Sequence, residues 1–261
     1  MISSFKNISW MRLTFTFLGG IVLLFILAPI AGMYFNTSIG SITNAVADEE
    51  VRDSVWLSLW TSMAGTILFS FFAIPLAYLL ARKNFPMKSL VNGIIDLPII
   101  IPHSAAGIAV LGILTRDSWL GQSAELFGVK FIGNPAGIIM AMAFVSIPFL
   151  INAARDGFAA VPERLEKVAL TLGASPIRVF FTISLPLAWR SVLSGFILMW
   201  ARGLSEFGAV IIVAYNPKTA PVLIFERFTS YGLKYSVPVA ALFVAVCLAI
   251  FIMLRLIKKK S

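Results

Sequence analysis

Six runs of apolar residues separated by short polar stretches give this chain its pattern. They cover about 13–34, 54–81, 90–114, 136–152, 191–215 and 237–257. Each is close to the ~20 residues that a helix needs to cross a bilayer, so the pattern predicts an all-α membrane protein with six transmembrane helices. The second run is long enough to tilt or to project beyond the lipid. Lys6 and Arg12 precede the first run. That run is longer than the roughly 7–15 apolar residues of a secretory signal and lacks a small-residue exit, so it is expected to remain as a span. The third run carries Pro98 and Pro102, which free backbone groups that neighbouring helices or a cavity must satisfy.

Between the fourth and fifth runs lies the one long connection with the pattern of a folded element, Pro162 to Pro186. Pro162 suits a first helical position, where its missing N–H costs nothing. Leu165, Val168, Ala169 and Leu172 recur at helical spacing and form one apolar stripe. Gly173 stops the helix, being free to take positive φ. Ser175 and Pro176 restart a second helix with a capping hydroxyl and a proline behind it. Glu163 and Lys167, acid first and four apart, support the polar face. The prediction is a helix–turn–helix. Such a hairpin either lies on the lipid surface with its stripe down or presents that stripe to a partner's groove.

Composition agrees with the pattern and narrows the partners. Hydrophobic residues make up 59% of the chain and charged residues 13%, with a mean hydropathy of +0.92. Soluble domains carry about twice that charged fraction. The net charge of +9 does not imply nucleic acid, because the basic residues sit between the apolar runs. With the N-terminus inside, the inner segments hold 14 of the Lys and Arg residues and the outer segments six. The inner set is Lys6, Arg12, Arg82, Lys83, Lys88, Arg155, Arg164, Lys167, Arg178, Arg190, Arg255 and Lys258 to Lys260. The positive-inside rule therefore places both termini and the hairpin in the cytoplasm of a multi-pass protein of the cell (plasma or inner) membrane. The lone Cys247 permits neither an internal disulfide nor a cysteine-rich metal site.

Charges inside the runs need their own explanation. Arg202 and Glu206 are four apart in the fifth run, hence on one helix face, with Ser205 adjoining. Each costs at least ~2.5–3.5 kcal/mol at mid-bilayer, which calls for a bundle interior or a wet cavity. They form either an internal ion pair that locks packing or part of a translocation path or its gate. Asp96, Pro98, Pro102, His103 and Ser104 make a second polar cluster, in which His103 is either a proton relay or a satisfied interior histidine.

These residues also carry a resemblance. Gly173, nine residues, Ile183, one residue and Leu185–Pro186 match the spacing of the cytoplasmic loop of binding-protein-dependent ABC importer permeases. In that family the loop reads E-A-A, three residues, G, nine residues, I-x-L-P, and docks on the ATPase subunit. Here Lys167–Val168–Ala169 stands in place of E-A-A, and Glu166 lies one residue earlier. VALTLGASPIRVFF, ARGLSEFGAV and PVLIFERF resemble the molybdate/tungstate branch, a close relative of the sulfate permeases. The resemblance implies a type I importer permease fold. It divides the chain into a first helix with its external connection (1–53), a permease core (54–257) and a basic tail (258–261). It gives a coupling loop of Leu165, Glu166, Lys167, Val168, Ala169, Gly173, Ala174, Ser175, Ile183, Leu185 and Pro186. Arg202, Ser205, Glu206, His103 and Ser104 fall to the path or gate. The implied partners are a second copy of the chain, two cytoplasmic ABC ATPases that hold ATP and Mg, an external oxyanion-binding protein and the bilayer.

Absent motifs point the same way. No phosphate-cradling G-x-x-x-x-G-K-[ST] loop, H-E-x-x-H or G-x-S-x-G occurs, so neither ATP hydrolysis nor another enzymatic activity is expected in this chain, nor any cofactor or metal of its own. The alternatives are a sulfate or thiosulfate ABC permease and an ion-coupled secondary transporter. The second would show an internal repeat and has no use for the hairpin.

Overall fold

The computed structural model describes residues 10–260, with side chains as far as Met253. Lys6 lies outside the described residues, as do the side chains of Arg255 and Lys258 to Lys260. Among the described residues every regular element is helical, as the six runs predict. In chain order these are α1 (Trp10–Phe35), α2 (Ile39–Ala47), α3 (Glu49–Arg82), α4 (Lys88–Ile100), α5 (His103–Leu114), α6 (Trp119–Leu126) and α7 (Pro135–Ala160). Then come α8 (Glu163–Thr171), α9 (Pro176–Val179), a π-helical turn (Phe180–Ser184), α10 (Leu185–Leu204), α11 (Gly208–Val213), α12 (Ala220–Tyr231) and α13 (Leu233–Lys260). Five stretches are long and apolar enough to cross a membrane, and the bent pair α4–α5 makes a sixth when counted as one broken span, against the six runs of the sequence.

The differences from the sequence pattern have local causes. The third run is two helices bent by 111° at Ile101–Pro102. Proline disfavours α geometry in the residue before it, and Ile101 is extended (φ −70°, ψ 146°). The fourth run does not end at 152 but continues as helix to Ala160. The second helix of the hairpin is not separate: α9, the π turn and α10 form one rod, Pro176–Leu204. The fifth run then breaks after Leu204 and resumes as α11. Short helices also occupy the connections, with Ser38 and Ser118 capping α2 and α6 through their hydroxyls.

The chain forms two compact units. One comprises the residues up to Val51 and those from Glu226 onward. In it α1 buries none of its residues. The Tyr34 hydroxyl donates to Ala241 O on α13 at 2.9 Å, and Arg227 holds Asp48 at 2.7 Å and Glu50 at 3.3 Å. The hydrogen bond from Arg227 is the main reason the Asp48 carboxyl lies below the usual range.

The other unit, Arg52–Phe225, is built around α7. One core joins α5, α7 and α11 through Val110, Leu114, Ile138, Val145, Val210 and Val213. A second joins α3, α7 and α10 through Ala77, Leu80, Leu150, Phe158, Val192 and Met199. Small residues let these helices approach closely, which is the usual basis of packing where lipid removes the hydrophobic drive. A Cβ on Gly195 would sit 2.9 Å from Ala153 Cβ, and one on Gly157 would strike Ser191. α3 contributes a buried hydroxyl stripe: Ser54, Ser58, Ser62, Thr66 and Ser70 at every fourth position, with Thr61 beside it. The hydroxyls of Ser58, Ser62, Thr66 and Ser70 each donate to the carbonyl four residues earlier, and Ser58 Oγ also accepts the Ala220 N–H at 2.8 Å.

Candidate functional site

The turn of the hairpin is built as its residues predict, while its first residue and the extent of its second helix differ. Pro162 is the N-cap of α8 and not its first helical residue. Gly173 takes φ +88°, with its N–H on Leu170 O and the Ala174 N–H on Ala169 O, the paired bonds of a Schellman turn. Ser175 caps α9 by accepting the Arg178 N–H at 3.3 Å. Lys167 and Glu163 pair at 2.9 Å on the exposed face.

The orientation of the hairpin is the informative part. Its apolar stripe faces outward: Leu172 is 82% exposed, Val168 50% and Leu165 44%. The residue turned inward is Glu166, at 7%. Arg82, which the charge pattern assigns to a basic loop, is the last residue of α3 and grips this carboxylate. Its Nε donates to both oxygens at 3.0 Å and its Nη2 to Oε1 at 2.7 Å. Ser184 donates to Oε1 at 2.7 Å and Tyr78 to Oε2 at 3.2 Å. Burial alone would raise the Glu166 pKa; the hydrogen bonds from Arg82 and Ser184 outweigh it and hold the carboxyl below its ordinary range. Tyr78, Phe158 and Phe180 pack edge to face beneath the pair, with Arg82 over the Tyr78 ring. Of the other coupling-loop residues, Lys167, Gly173, Ser175 and Pro186 are exposed, while Ala169, Ala174, Ile183 and Leu185 are half-buried. Sequence reasoning missed Arg82, Tyr78 and Ser184. Only Tyr78 and Arg82, four apart at the end of an apolar run, left a visible signal there.

The two helix breaks meet at a second site. Arg202 lies in the last turn of α10, and Glu206 in the gap before α11. The pair is therefore at a break and not in the middle of a continuous span, yet the contact survives, with Arg202 Nη1 2.8 Å from Glu206 Oε2. His103, the first residue of α5, joins them, its Nδ1 3.1 Å from Glu206 Oε2 and its ring nitrogens 2.8 and 3.0 Å from Arg202 Nη2. Glu206 is fully buried, and from just before the α11 N-cap its Oε1 accepts the Ala209 N–H at 2.9 Å, one of the free donors of that helix's first turn. Close approach of α5 and α11 needs glycine: a Cβ on Gly208 would lie 2.7 Å from His103 Cβ, and one on Gly107 2.9 Å from Ala209 Cα.

Not every residue of the two polar clusters takes part. The Ser205 hydroxyl bonds back to Arg202 O and is exposed, as is Ser104. Asp96 is separated from His103 by the bend and accepts from Asn152 of α7 at 2.6 Å. The Gly203-x-Ser205-x-x-Gly208 run within an apolar stretch is the sequence signal for the break.

Comparison with known proteins agrees with this architecture. Residues 73–261 match the family model described as binding-protein-dependent transport system inner membrane component. The molybdate/tungstate transport system permease protein WtpB of Thermococcus kodakarensis is 45% identical over 243 residues, covering 92% of this chain and 93% of that protein. A probable sulfate transport system permease protein of Chlorokybus atmophyticus is 35% identical, covering 71% and 67%. Among solved structures, a bacterial ABC transporter involved in alginate import superposes with a TM-score of 0.73 at 17% identity, over 95% of each chain. By the family match and the identity to WtpB, the chain belongs to the binding-protein-dependent ABC importer permeases, multi-pass proteins of the inner membrane.

Proposed function

We propose that this chain is the membrane-spanning subunit of an ATP-driven importer of a tetrahedral oxyanion, molybdate or tungstate, and that the 162–186 hairpin couples it to a separate ATPase. The observation that carries the coupling is the inversion of the hairpin. Its apolar stripe, from Leu165 to Leu172, faces outward while a buried carboxylate fastens it from behind. Such a stripe fits a groove in a partner, with Leu172 and Ile177 the most exposed apolar side chains to enter it. The identity to WtpB supports the choice of cargo.

In this reading two copies of the chain enclose the path, with both termini and the hairpins in the cytoplasm. Two ATPase subunits bind ATP and Mg there, and an external protein delivers the anion. ATP closes the ATPase dimer, the hairpins are drawn together, and the bundles rock between inward- and outward-facing states. Arg202, His103 and Glu206 stand at the joined breaks as the gate, while Ser104 and Ser205 lie exposed beside it and outside the ion-pair cluster. Arg202 attracts the dianion, and Glu206 offsets that charge so the anion is not held.

The test is uptake by proteoliposomes containing this chain, its cognate ATPase and its cognate binding protein. Labelled molybdate should enter only with ATP on the ATPase side and both partners present. Unlabelled tungstate should compete and sulfate should not. Uptake by the chain alone would instead identify a secondary transporter, and competition by sulfate alone would move the cargo to sulfate.

A further inference from the structure

The hairpin has covalent routes into α7 and α10 but none into α3, which ends far from it in sequence. The link to α3 is made by side chains. Arg82 presents Nε and Nη2 side-on to Glu166, a fork that fixes orientation as well as distance. The same Nη2 donates to Val161 O at the end of α7, at 3.0 Å. Ser184 reaches Glu166 from the π-helical turn, a local widening that commonly marks a functional position. Four elements (α3, α7, α8 and the base of α10) therefore meet at one ion pair.

We propose that Arg82 and Glu166 are positioning residues that carry displacement of the hairpin into α3 and through it to the gate. The helix has the reach. Ser62 lies 20 residues before Arg82 on α3, about 30 Å at ~1.5 Å per residue. There α3 touches α10 beside the gate: Trp200 Nε1 donates to Leu59 O at 3.4 Å, and a Cβ on Gly203 would lie 3.6 Å from Ser62 Cβ. The hydroxyls of Ser62, Thr66 and Ser70 donate within α3 itself, so along this stretch few side-chain bonds tie it to α7 and α10, those of Trp200 to Leu59 O and of Thr61 to Met142 Sδ among them. A push on α8 thus arrives next to Arg202.

The proposal rests on the reading of the hairpin as the ATPase dock, and the two are tested apart. The assay uses the complete complex of permease, ATPase and binding protein in liposomes, and measures ATPase retention, ATP hydrolysis and molybdate uptake per ATP. Arg82→Gln should keep the ATPase bound and hydrolysis within about two-fold, while uptake per ATP falls about ten-fold. Tyr78→Phe and Ser184→Ala, which disturb folding least, should lower uptake per ATP to a smaller degree. The reversed pair, Arg82→Glu with Glu166→Arg, should recover part of the loss. Leu172→Glu, on the exposed stripe, should release the ATPase. Unchanged uptake per ATP in Arg82→Gln, with the ATPase lost in Leu172→Glu, overturns the clasp alone. An ATPase still bound in Leu172→Glu overturns the docking reading and the clasp with it. Loss of the ATPase in Arg82→Gln and Ser184→Ala alike overturns the proposal by making the pair a strut for the hairpin.

Discussion

Glu206 has no exposed surface, and its Oε2 faces Arg202 and His103 together. A carboxylate so placed is stable because of its partners, and removing one leaves a buried charge. Arg202→Ala should therefore cost about 3–5 kcal/mol of stability, whereas Arg202→Ala with Glu206→Ala should cost less than the sum of the singles. Thermal unfolding of the three variants in detergent measures this, and strict additivity would argue against a coupled pair. Glu166 allows a second expectation, about pH. Its folded-state pKa lies below the ordinary value, so its contribution is present above the unfolded pKa and lost as pH falls through the folded one. Wild type should be more stable than Glu166→Gln at neutral pH, with the gap closing under acid conditions below the usual glutamate range. A gap that is constant with pH would show that the carboxylate is not the stabilising group.

At the scale of elements, the hairpin was readable because each of its signals is local. The cap at Ser175 and the stop at Gly173 depend on φ, a hydroxyl and a neighbouring N–H, all set within a few residues. Periodicity marked the stripe Leu165, Val168, Ala169 and Leu172 and left open whether it meets lipid or a partner, but it did not show what fastens the other face. What fastens that face is Arg82, 84 residues away, and no local rule reaches that far. The breaks divide in the same way. Pro102 marked freed backbone groups but not the size of the bend before α5. Arg202, Ser205 and Glu206 stood out as polar residues but were placed on one continuous helix face, because the apolar run continues past them. Gly173→Val tests the local part. The position has open space around it, so any cost comes from forcing a β-branched residue to φ +88°, of order 1–3 kcal/mol. The variant should insert and assemble its spans normally but lose molybdate uptake, because the angle between α8 and α9 changes. Uptake at the wild-type rate in reconstituted Gly173→Val would remove the turn from the coupling mechanism.

For the molecule as a whole, the proposed function raises the question of where its anion is selected. A lasting site for a dianion needs several converging cations or donors, as in bidentate arginine recognition. At the joined breaks Arg202 supplies one cation, already 2.8 Å from a carboxylate oxygen, and the positive end of α5 is filled by His103 against that same oxygen. Charge at this place is close to balanced. Such a balance suits passage, because an ion held tightly at a gate leaves slowly. Capture is then left to the external binding protein, in line with the proposed assembly. Detergent-solubilised permease without that protein should give no calorimetric signal for molybdate, tungstate or sulfate at micromolar concentrations, while the binding protein alone should give one for its cargo. A saturable micromolar isotherm on the permease, abolished in Arg202→Ala, would make the joined breaks a selectivity site and reverse this division of labour.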